Sequence, residues 1–261
     1  MDWAREEEPV RAVVLVGSRA GARPSDELAD WDVAVFTRSL EPYVREDRWL
    51  SSIGEVWVSV PDRYEVAGET IPTRLVVFEG GVKVDFAFHS LSLLASVEWT
   101  GPFRVVLDKD GIATGLERST ESPPAPTEED FVRIVREFWF EAYHVAKYLH
   151  RNELWLVKSR DWATKELLLR MLEWRAQHSV PGFAGAGIEQ WVDRTSWHEL
   201  HDVFAPFDEG SSRRALHATL RMFRRLGVET ATQHGYRYPR EVDEKMSSFI
   251  ERIAPSDAPP Q

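Results

Sequence analysis

The sequence predicts an α+β fold, with a mixed β-sheet domain that also carries helices in the N-terminal half and an α-helical bundle in the C-terminal half. Three observations support this prediction. The first half contains six short segments rich in β-branched and aromatic residues, which is typical of strands. The stretch SPPAPT at Ser122–Thr127 then interrupts the chain, because its three prolines exclude a helix or a central strand. Beyond it, apolar residues recur at helical spacing.

The six predicted strands follow one another between residues 11 and 107. They lie at Arg11–Val16, Asp32–Phe36, Val56–Val60, Arg74–Phe78, Val82–Phe88 and Phe103–Leu107. Gly80 and Gly81 separate the fourth strand from the fifth and predict a tight hairpin. A helix is predicted over Glu41–Ile53, between the second strand and the third.

The C-terminal half opens with a signal for the start of a helix at Thr127. Thr127 is a predicted N-cap, and Glu128, Glu129 and Asp130 fill the first turn, where the helix dipole favours negative charge. Apolar residues at helical spacing then continue to Leu149. The further predicted helices cover Trp162–Gln177, Ile188–Arg194, Ser196–Phe204, Ser211–Ala231 and Arg240–Ile253, and Val180–Gly187 is a predicted loop.

These signals predict two domains joined by a short linker. The sheet domain is expected over residues 1–121, the linker over 122–127, the helical domain over 128–253 and a disordered tail over 254–261. No apolar run approaches the roughly 20 residues that span a bilayer, so no membrane helix is expected. The N-terminus also lacks the basic start and apolar stretch of a secretory signal, which favours a cytoplasmic protein.

Composition narrows the classes of function. The 261 residues include no cysteine, which excludes disulfides, thiolate metal sites and cysteine nucleophiles and fits a reducing cytoplasm. The net charge of −11 disfavours nucleic acid as a partner, because a polyanion would be repelled. The same charge would attract a polycationic small molecule, although its simplest interpretation is that it keeps the protein soluble.

The stretch between the first and second strands contains the first chemical signal. Gly17-Ser18-Arg19 follows the first strand directly, and a glycine there lets backbone N–H groups and the serine hydroxyl approach a phosphate. Asp30-Trp31-Asp32 opens the second strand, so Asp30 and Asp32 are expected on one face. Two neighbouring carboxylates repel each other unless a cation lies between them, and Mg²⁺ prefers such oxygen ligands. Each motif alone is also compatible with an ordinary turn or a solvated strand end.

A third carboxylate lies in the fifth predicted strand. Alternation places Val82, Val84 and Phe86 on one face and leaves Lys83 and Asp85 on the other. A carboxylate in the middle of so apolar a run is costly to bury without a cation or a hydrogen-bonding partner. The three motifs together, in this order, predict a site for phosphate and metal chemistry, whereas Asp85 alone fits a solvent-facing position equally well.

These motifs resemble those of a known family. GSRAGARPSDELADWDVAVF resembles the nucleotidyltransferase signature of a glycine-serine pair followed by paired aspartates, and VKVDFAF resembles the third-carboxylate strand of that superfamily. Within the superfamily the chain is similar to the aminoglycoside 6-adenylyltransferases, the streptomycin adenylyltransferase family. The segments FRVVLDKDG, FWFEAYHVAKYLHRNELWLVKSRDW, LLLRMLEW and HGYRYPREVD extend the likeness in the same order, over nearly the whole chain.

The resemblance implies a nucleotidyltransferase-fold catalytic domain and a helical acceptor-binding domain. It implies transfer of AMP from ATP to a hydroxyl of an aminoglycoside such as streptomycin, with release of pyrophosphate. Asp30 and Asp32 would hold magnesium, which we expect to be two ions, and Gly17, Ser18 and Arg19 would bind the nucleotide. Asp85 would be the third carboxylate and act as general base, as a metal ligand or as both. Arg19 is alternatively an anchor for its own loop.

The helical half is expected to supply further binding residues. Lys147 and Lys158 are candidates for the triphosphate, although most lysines are simply solvated. Glu137 and Glu141 stand one turn apart and are candidates for a cationic acceptor, with a solvated acidic face as the alternative. We expect the acceptor between the two domains, in an acidic cleft. His144 is a further candidate ligand, and Trp139 or Trp155 a candidate for stacking on a sugar or base.

Three hypotheses stay open from the sequence. The first is an enzyme that modifies an aminoglycoside. The second is a nucleotidyltransferase with another small-molecule or protein acceptor, and the third is a catalytically silent binding module of the same fold. The presence of all three carboxylates argues against the silent module. The expected partners are a nucleoside triphosphate and a cationic small molecule, without nucleic acid or membrane, and a monomer is favoured.

Overall fold

A computed structural model describes residues 2–21, 26–66, 68–119, 125–177 and 185–256. The chain divides into two compact units, residues 1–122 and 123–261. The first unit is built on a sheet and the second is helical. The predicted linker at Ser122–Thr127 lies partly outside the described residues.

The first unit contains one six-stranded sheet. Its strands are β1 (Val10–Val16), β2 (Trp31–Thr37), β3 (Val56–Val66), β4 (Glu69–Phe78), β5 (Val82–Ser90) and β6 (Phe103–Asp108). The spatial order is β3-β4-β5-β2-β1-β6. All neighbours run antiparallel except β2 and β5, which are parallel, so the sheet is mixed, as predicted.

The hairpin formed by β3 and β4 is longer than the sequence predicted. The expected strands stopped at Val60 and resumed at Arg74, because the residues between them are polar and include Pro61 and Pro72. Pairing continues through this stretch to a turn at Gly68, whose φ of +80° favours glycine. Pro61 is tolerated because β3 is an edge strand, and Pro72 because it lies just before the part of β4 that pairs with β5, Thr73–Phe78, so neither position needs an N–H donor for that ladder.

Both faces of the sheet carry apolar side chains. One face packs Val84, Phe86 and Phe88 against a cluster that includes Trp3 and Tyr43. The opposite face carries a second apolar cluster, which includes Ala34, Phe36, Leu94 and Trp99. The alternation predicted for the fifth strand is therefore confirmed, and the carboxylate-bearing face continues into this second cluster.

The helix predicted over Glu41–Ile53 is divided in two. The structure has α2 at Glu41–Arg45 and a separate 3₁₀ turn at Arg48–Ser52, because Glu46 adopts an extended conformation between them. A short helix, α1 (Asp2–Glu6), precedes β1. The buried guanidinium of Arg74 donates hydrogen bonds to the carbonyls of Tyr43 (3.2 Å) and Val44 (2.8 Å), which satisfies carbonyls that the short helix leaves unpaired.

The second unit is a bundle of six helices in its described part. These are α3 (Glu128–His150), α4 (Leu154–Ala176), α5 (Ile188–Trp191), α6 (Arg194–Val203), α7 (Glu209–His234) and α8 (Arg240–Ile253). Thr127 caps α3 as predicted, because its hydroxyl accepts a hydrogen bond from the Asp130 amide at 3.1 Å. Helix α4 begins at Leu154, earlier than the predicted start at Trp162. The prediction missed the first turns because exposed Trp155 and Trp162 obscure the helical pattern of apolar residues.

The prediction of a disordered tail is wrong for its first residue, Ala254. Ala254 is fully buried, and its carbonyl accepts a hydrogen bond from His217 Nε2 at 2.7 Å. This contact fixes the chain just beyond α8, so order extends past the last helix. Residues 257–261 lie outside the described part. No helix among the described residues is both long and apolar enough to cross a bilayer.

Candidate active site

The parallel pairing of β2 and β5 brings two distant carboxylates together. Asp32 lies directly opposite Asp85 in the register of these strands. Residues paired on neighbouring strands project from the same face of a sheet, so the two side chains are neighbours. Two sequence motifs that lie far apart in the chain thus form one cluster.

Asp30 joins this cluster through a lysine that the sequence analysis did not select. The Lys83 ammonium donates to Asp30 Oδ2 at 2.5 Å and to Asp85 Oδ2 at 2.8 Å. Its side chain is 37% exposed, so the pairs lie at the edge of solvent. The alternation in the fifth strand placed Lys83 beside Asp85, and that spacing was the signal that could have identified it.

The charges in this cluster are only partly compensated. Burial raises the pKa of Asp32, and the negative charges of Asp85 and Asp30 raise it further, while Lys83 opposes the shift. Within the described residues, Asp85 Oδ1 is buried and has no hydrogen-bonding partner. An unsatisfied carboxylate oxygen beside two further carboxylates is the environment that a hard divalent cation would stabilise.

The donor set therefore fits magnesium, although the side chains are not grouped as ready ligands. Across the described part of the chain, no three acidic or histidine side chains form a preformed ion site. The carboxylates of Asp30 and Asp85 are instead turned onto the Lys83 ammonium. Asp30, Asp32 and Asp85 are the residues that would hold the metal, and their metal-binding role stays a prediction.

Gly17 shapes the wall of the cluster. Its φ is +74°, and a Cβ at this position would lie 2.5 Å from Asp32 Oδ2, which no real side chain tolerates. Its N–H donates to the Pro102 carbonyl at 3.1 Å, which fixes the end of β1. Ser18 then begins a 3₁₀ turn (Ser18–Ala20) and is exposed. The glycine thus provides room for the Asp32 carboxylate, and the binding of a phosphate by the exposed Ser18 stays a prediction.

Arg19 anchors the loop that leads to Asp30. Its guanidinium donates to the carbonyls of Ala29 (2.6 Å) and Glu27 (3.1 Å), and it lies 4.5 Å from the centre of the Trp31 ring. Of the two interpretations drawn from the sequence, the structure shows the anchor, made through carbonyls rather than a carboxylate. Its binding to the nucleotide stays a prediction.

Comparison with known proteins identifies the family. A model of the streptomycin adenylyltransferase family matches residues 1–253 of the chain. The chain belongs to the streptomycin adenylyltransferase family. As a member of that family it is an aminoglycoside adenylyltransferase-like enzyme, as the resemblance implied.

Curated relatives and a solved structure agree with this family. The chain is 26% identical to an aminoglycoside 6-adenylyltransferase of Campylobacter jejuni, covering 97% of this chain and 92% of that protein. It is 24% identical to the enzyme of the same name from Bacillus subtilis, over 97% of this chain and 94% of the relative. A crystal structure of an aminoglycoside 6-adenyltransferase from Bacillus subtilis matches with a TM-score of 0.50 at 22% identity, covering 97% of this chain and 94% of that one. The α+β nucleotidyltransferase fold is thereby confirmed.

A buried histidine and a partly exposed tyrosine contact each other in the sheet unit of this family member. His89 is 3% exposed, stacks on Phe36, and has Nε2 3.3 Å from the Tyr64 hydroxyl. Burial lowers the pKa of His89 to about 4. Burial and the negative charge of Asp32 raise the pKa of Tyr64 to about 12, so its phenol stays protonated. Neither residue was selected from the sequence, because nothing local marks His89 and Tyr64 as neighbours of each other.

We expect His89 to make the protein acid-sensitive. Its folded pKa of about 4 lies below the ordinary value of 6.5, so stability is lost as the pH falls from about 6.5 toward 4. The loss should approach about 2 kcal/mol at about pH 5. Urea unfolding followed by tryptophan fluorescence at about pH 7.5 and about pH 5 measures it. The difference between the two pH values should shrink in His89→Gln, and an unchanged difference would exclude His89 as its source.

The two lysines predicted in the helical unit have local partners. Lys158 on α4 donates to the Ala205 carbonyl and to the Ser212 hydroxyl, both at 2.9 Å. The Lys147 ammonium lies 5.2 Å from the centre of the Tyr148 ring. Lys158 thereby fastens α4 to α7, which gives it a structural role independent of any ligand. Their contact with a triphosphate stays a prediction.

The two glutamates predicted to bind the acceptor are both ion-paired. Glu137 accepts from Arg133 at 3.2 Å, and Glu141 accepts from Arg160 at 3.3 Å. Glu141 is largely buried, with a side chain that is 16% exposed. The expected acidic face therefore carries its own cations, which a positively charged acceptor would have to replace.

The aromatic candidates of α3 and α4 differ in accessibility. Trp139 is 1% exposed and belongs to the core of the bundle, so stacking on a sugar or base is wrong for this residue. Trp155 is 80% exposed and is accessible to a ligand. His144 lies with Nδ1 2.9 Å from the Phe140 carbonyl, which gives one ring nitrogen a structural partner.

Proposed function

We propose that this protein transfers AMP from ATP to a hydroxyl of an aminoglycoside such as streptomycin in a magnesium-dependent reaction that releases pyrophosphate. The observation that carries the proposal is the pairing of Asp32 with Asp85, with Asp30 held beside them and the Gly17-Ser18 turn against Asp32. Family membership supports the class of reaction. The names of the relatives support an aminoglycoside as acceptor.

The residues divide the chemistry between them. Asp85 takes the proton of the acceptor hydroxyl, whose oxygen then bonds to the α-phosphorus while the bond to the pyrophosphate oxygen breaks. The exposed turn at Ser18 binds phosphate oxygens through backbone N–H groups and its hydroxyl. Asp30 and Asp32 would hold magnesium, which would supply positive charge that stabilises the transferring phosphoryl group and its leaving group. Positioning and charge compensation provide most of the rate, without a covalent intermediate on the protein.

The experiment is a panel of aminoglycosides, streptomycin included, incubated with the protein, ATP and magnesium. Mass spectrometry should detect the addition of one AMP to at least one aminoglycoside, and a pyrophosphate assay should detect an equal amount of product. Addition of AMP to a different small molecule or a protein hydroxyl would favour the second hypothesis. Absence of AMP transfer to every acceptor, with intact ATP, would favour the silent module and overturn the proposal.

We propose that Glu141 and Glu137 contribute to binding of the cationic acceptor. Glu141→Gln is expected to weaken binding of the acceptor by roughly tenfold. The reason is that a largely buried carboxylate paired with a cation contributes more to binding than a solvated one. Its affinity for ATP should not change. Calorimetry with streptomycin at low and at high salt measures the effect, and Glu189→Gln, a change on α5, is the matched control. Acceptor binding indifferent to Glu141→Gln and to salt would contradict the role.

A further inference from the structure

The candidate site contains one positive charge, the Lys83 ammonium, that has no role in the proposed reaction. The Lys83 ammonium lies between the carboxylates of Asp30 and Asp85, at 2.5 and 2.8 Å. It projects from the same face of β5 as Asp85, two residues before it, so the strand itself carries both the cation and the third carboxylate. The cluster thus holds three negative charges against one positive charge.

The position of this ammonium conflicts with a metal ion on the same oxygens. Magnesium binds carboxylate oxygens at about 2.0–2.1 Å and requires near-octahedral space around it. An ammonium that is hydrogen-bonded to Asp30 Oδ2 and Asp85 Oδ2 occupies the region where the ion would lie, and the two cations would also repel each other. The Asp32 carboxylate is only partly buried and is not hydrogen-bonded to Lys83, so it offers an approach for the arriving ion.

We propose that Lys83 is a positioning residue that serves as a built-in counter-ion: it holds Asp30 and Asp85 in place until a divalent cation replaces it. The inference rests on the proposed function, since it takes these carboxylates as the metal ligands. The lysine side chain is a flexible chain of four carbons and is 37% exposed, so the ammonium can move away from the carboxylates without unfolding the strand. The exchange keeps the three carboxylates partly compensated before the metal binds, and the divalent cation compensates them further afterwards.

A purely structural salt bridge makes a different prediction. In that case loss of Lys83 would lower stability equally with and without metal, and it would leave metal affinity unchanged. Competition for the same oxygens instead couples the lysine to the ion. Removal of the ammonium then leaves three uncompensated carboxylates, which destabilise the metal-free protein and bind a divalent cation more tightly.

The experiment uses the full chain without nucleotide and Mn²⁺ or Mg²⁺ alone as the probe. Lys83→Met keeps the length of the side chain and removes its charge. We expect Mn²⁺ affinity, measured by calorimetry, to rise on the order of tenfold, because loss of one nearby charge at intermediate dielectric is worth at least about 1.4 kcal/mol. The melting temperature should fall in chelator and recover when Mn²⁺ is added. Lys83→Arg should keep weak, wild-type-like metal binding, since it retains the charge.

Lys109→Met is the matched control, because the Lys109 ammonium lies in the same unit and donates to the Glu7 carbonyl at 2.7 Å, outside the cluster. It should leave Mn²⁺ affinity unchanged. Where Lys83→Met fails to fold in chelator, Lys83→Gln and refolding in the presence of Mn²⁺ give the same comparison. Unchanged or weaker Mn²⁺ binding in Lys83→Met and Lys83→Gln, the variants that lose the charge, would overturn the inference. Failure of the proposed function is seen separately, as absence of AMP transfer by the wild-type protein.

Discussion

Asp32→Asn is expected to lower turnover by about 10³-fold or more while the protein stays folded. Metal-mediated charge stabilisation of a phosphoryl transfer contributes several kcal/mol, and each 1.4 kcal/mol corresponds to about a tenfold change in rate. Asparagine keeps the shape of the side chain beside Gly17 but removes a charge that the proposed metal needs. The same change relieves repulsion from Asp85 and Asp30, so the metal-free protein should not lose stability.

Release of pyrophosphate measures turnover, and circular dichroism and thermal unfolding in chelator measure the fold. Asp62→Asn is a suitable control, since Asp62 is an exposed carboxylate on β3 of the same sheet. It should leave both turnover and stability close to wild type. Turnover of Asp32→Asn comparable to wild type, with a normal spectrum, would contradict the assignment of Asp32 as a metal ligand.

Asp85→Asn is expected to lower the rate by a factor on the order of 10²–10⁴ and to leave nucleotide affinity largely intact, as for loss of a general base. The reason is that one carboxylate oxygen of Asp85 has no hydrogen-bonding partner among the described residues. Asp85 Oδ2 is bound by Lys83, whereas Oδ1 is buried without a partner among the described residues and is the atom that can accept a proton. An amide at this position cannot take that proton at neutral pH.

Single-turnover kinetics with bound ATP and calorimetry with a non-hydrolysable analogue separate the two roles of Asp85. If Asp85 is the general base, its loss lowers the reaction rate of bound substrate and leaves the magnesium concentration for half-maximal activity unchanged. If Asp85 is a metal ligand, its loss raises that concentration, and saturating magnesium then restores much of the rate. Collapse of nucleotide affinity with preserved turnover of bound substrate would contradict the assignment as base.

The sequence predicted the sheet unit well because its signals are local. Each of the six strands was located to within a few residues at its apolar part, and the alternation in VKVDFAF identified the faces of β5. The extension of β3 and β4 was missed because ladder pairing in an edge hairpin needs no apolar pattern. The start of α4 was missed for the opposite reason, since exposed tryptophans there imitate buried ones.

The candidate site was harder to predict, because its details depend on contacts between distant residues. Asp30, Asp32 and Asp85 are recognisable from motifs, yet only the register of β2 and β5 shows that Asp32 and Asp85 are opposite each other. The partners of Glu141 and Lys158 lie on other segments of the chain, Arg160 in one case and Ala205 with Ser212 in the other. A one-dimensional pattern cannot show which charges are already compensated.

The single parallel pair in the sheet also has a consequence for how the protein folds. The hairpins β1–β2, β3–β4 and β4–β5 connect neighbours in the sequence, whereas β2 meets β5 only after a long intervening segment closes as a loop. We therefore expect Asp32 and Asp85 to belong to two locally ordered pieces that join late in folding. Under the proposed function, activity requires this seam, so we expect a chain with intact hairpins and an unjoined seam to be nearly native in secondary structure and inactive.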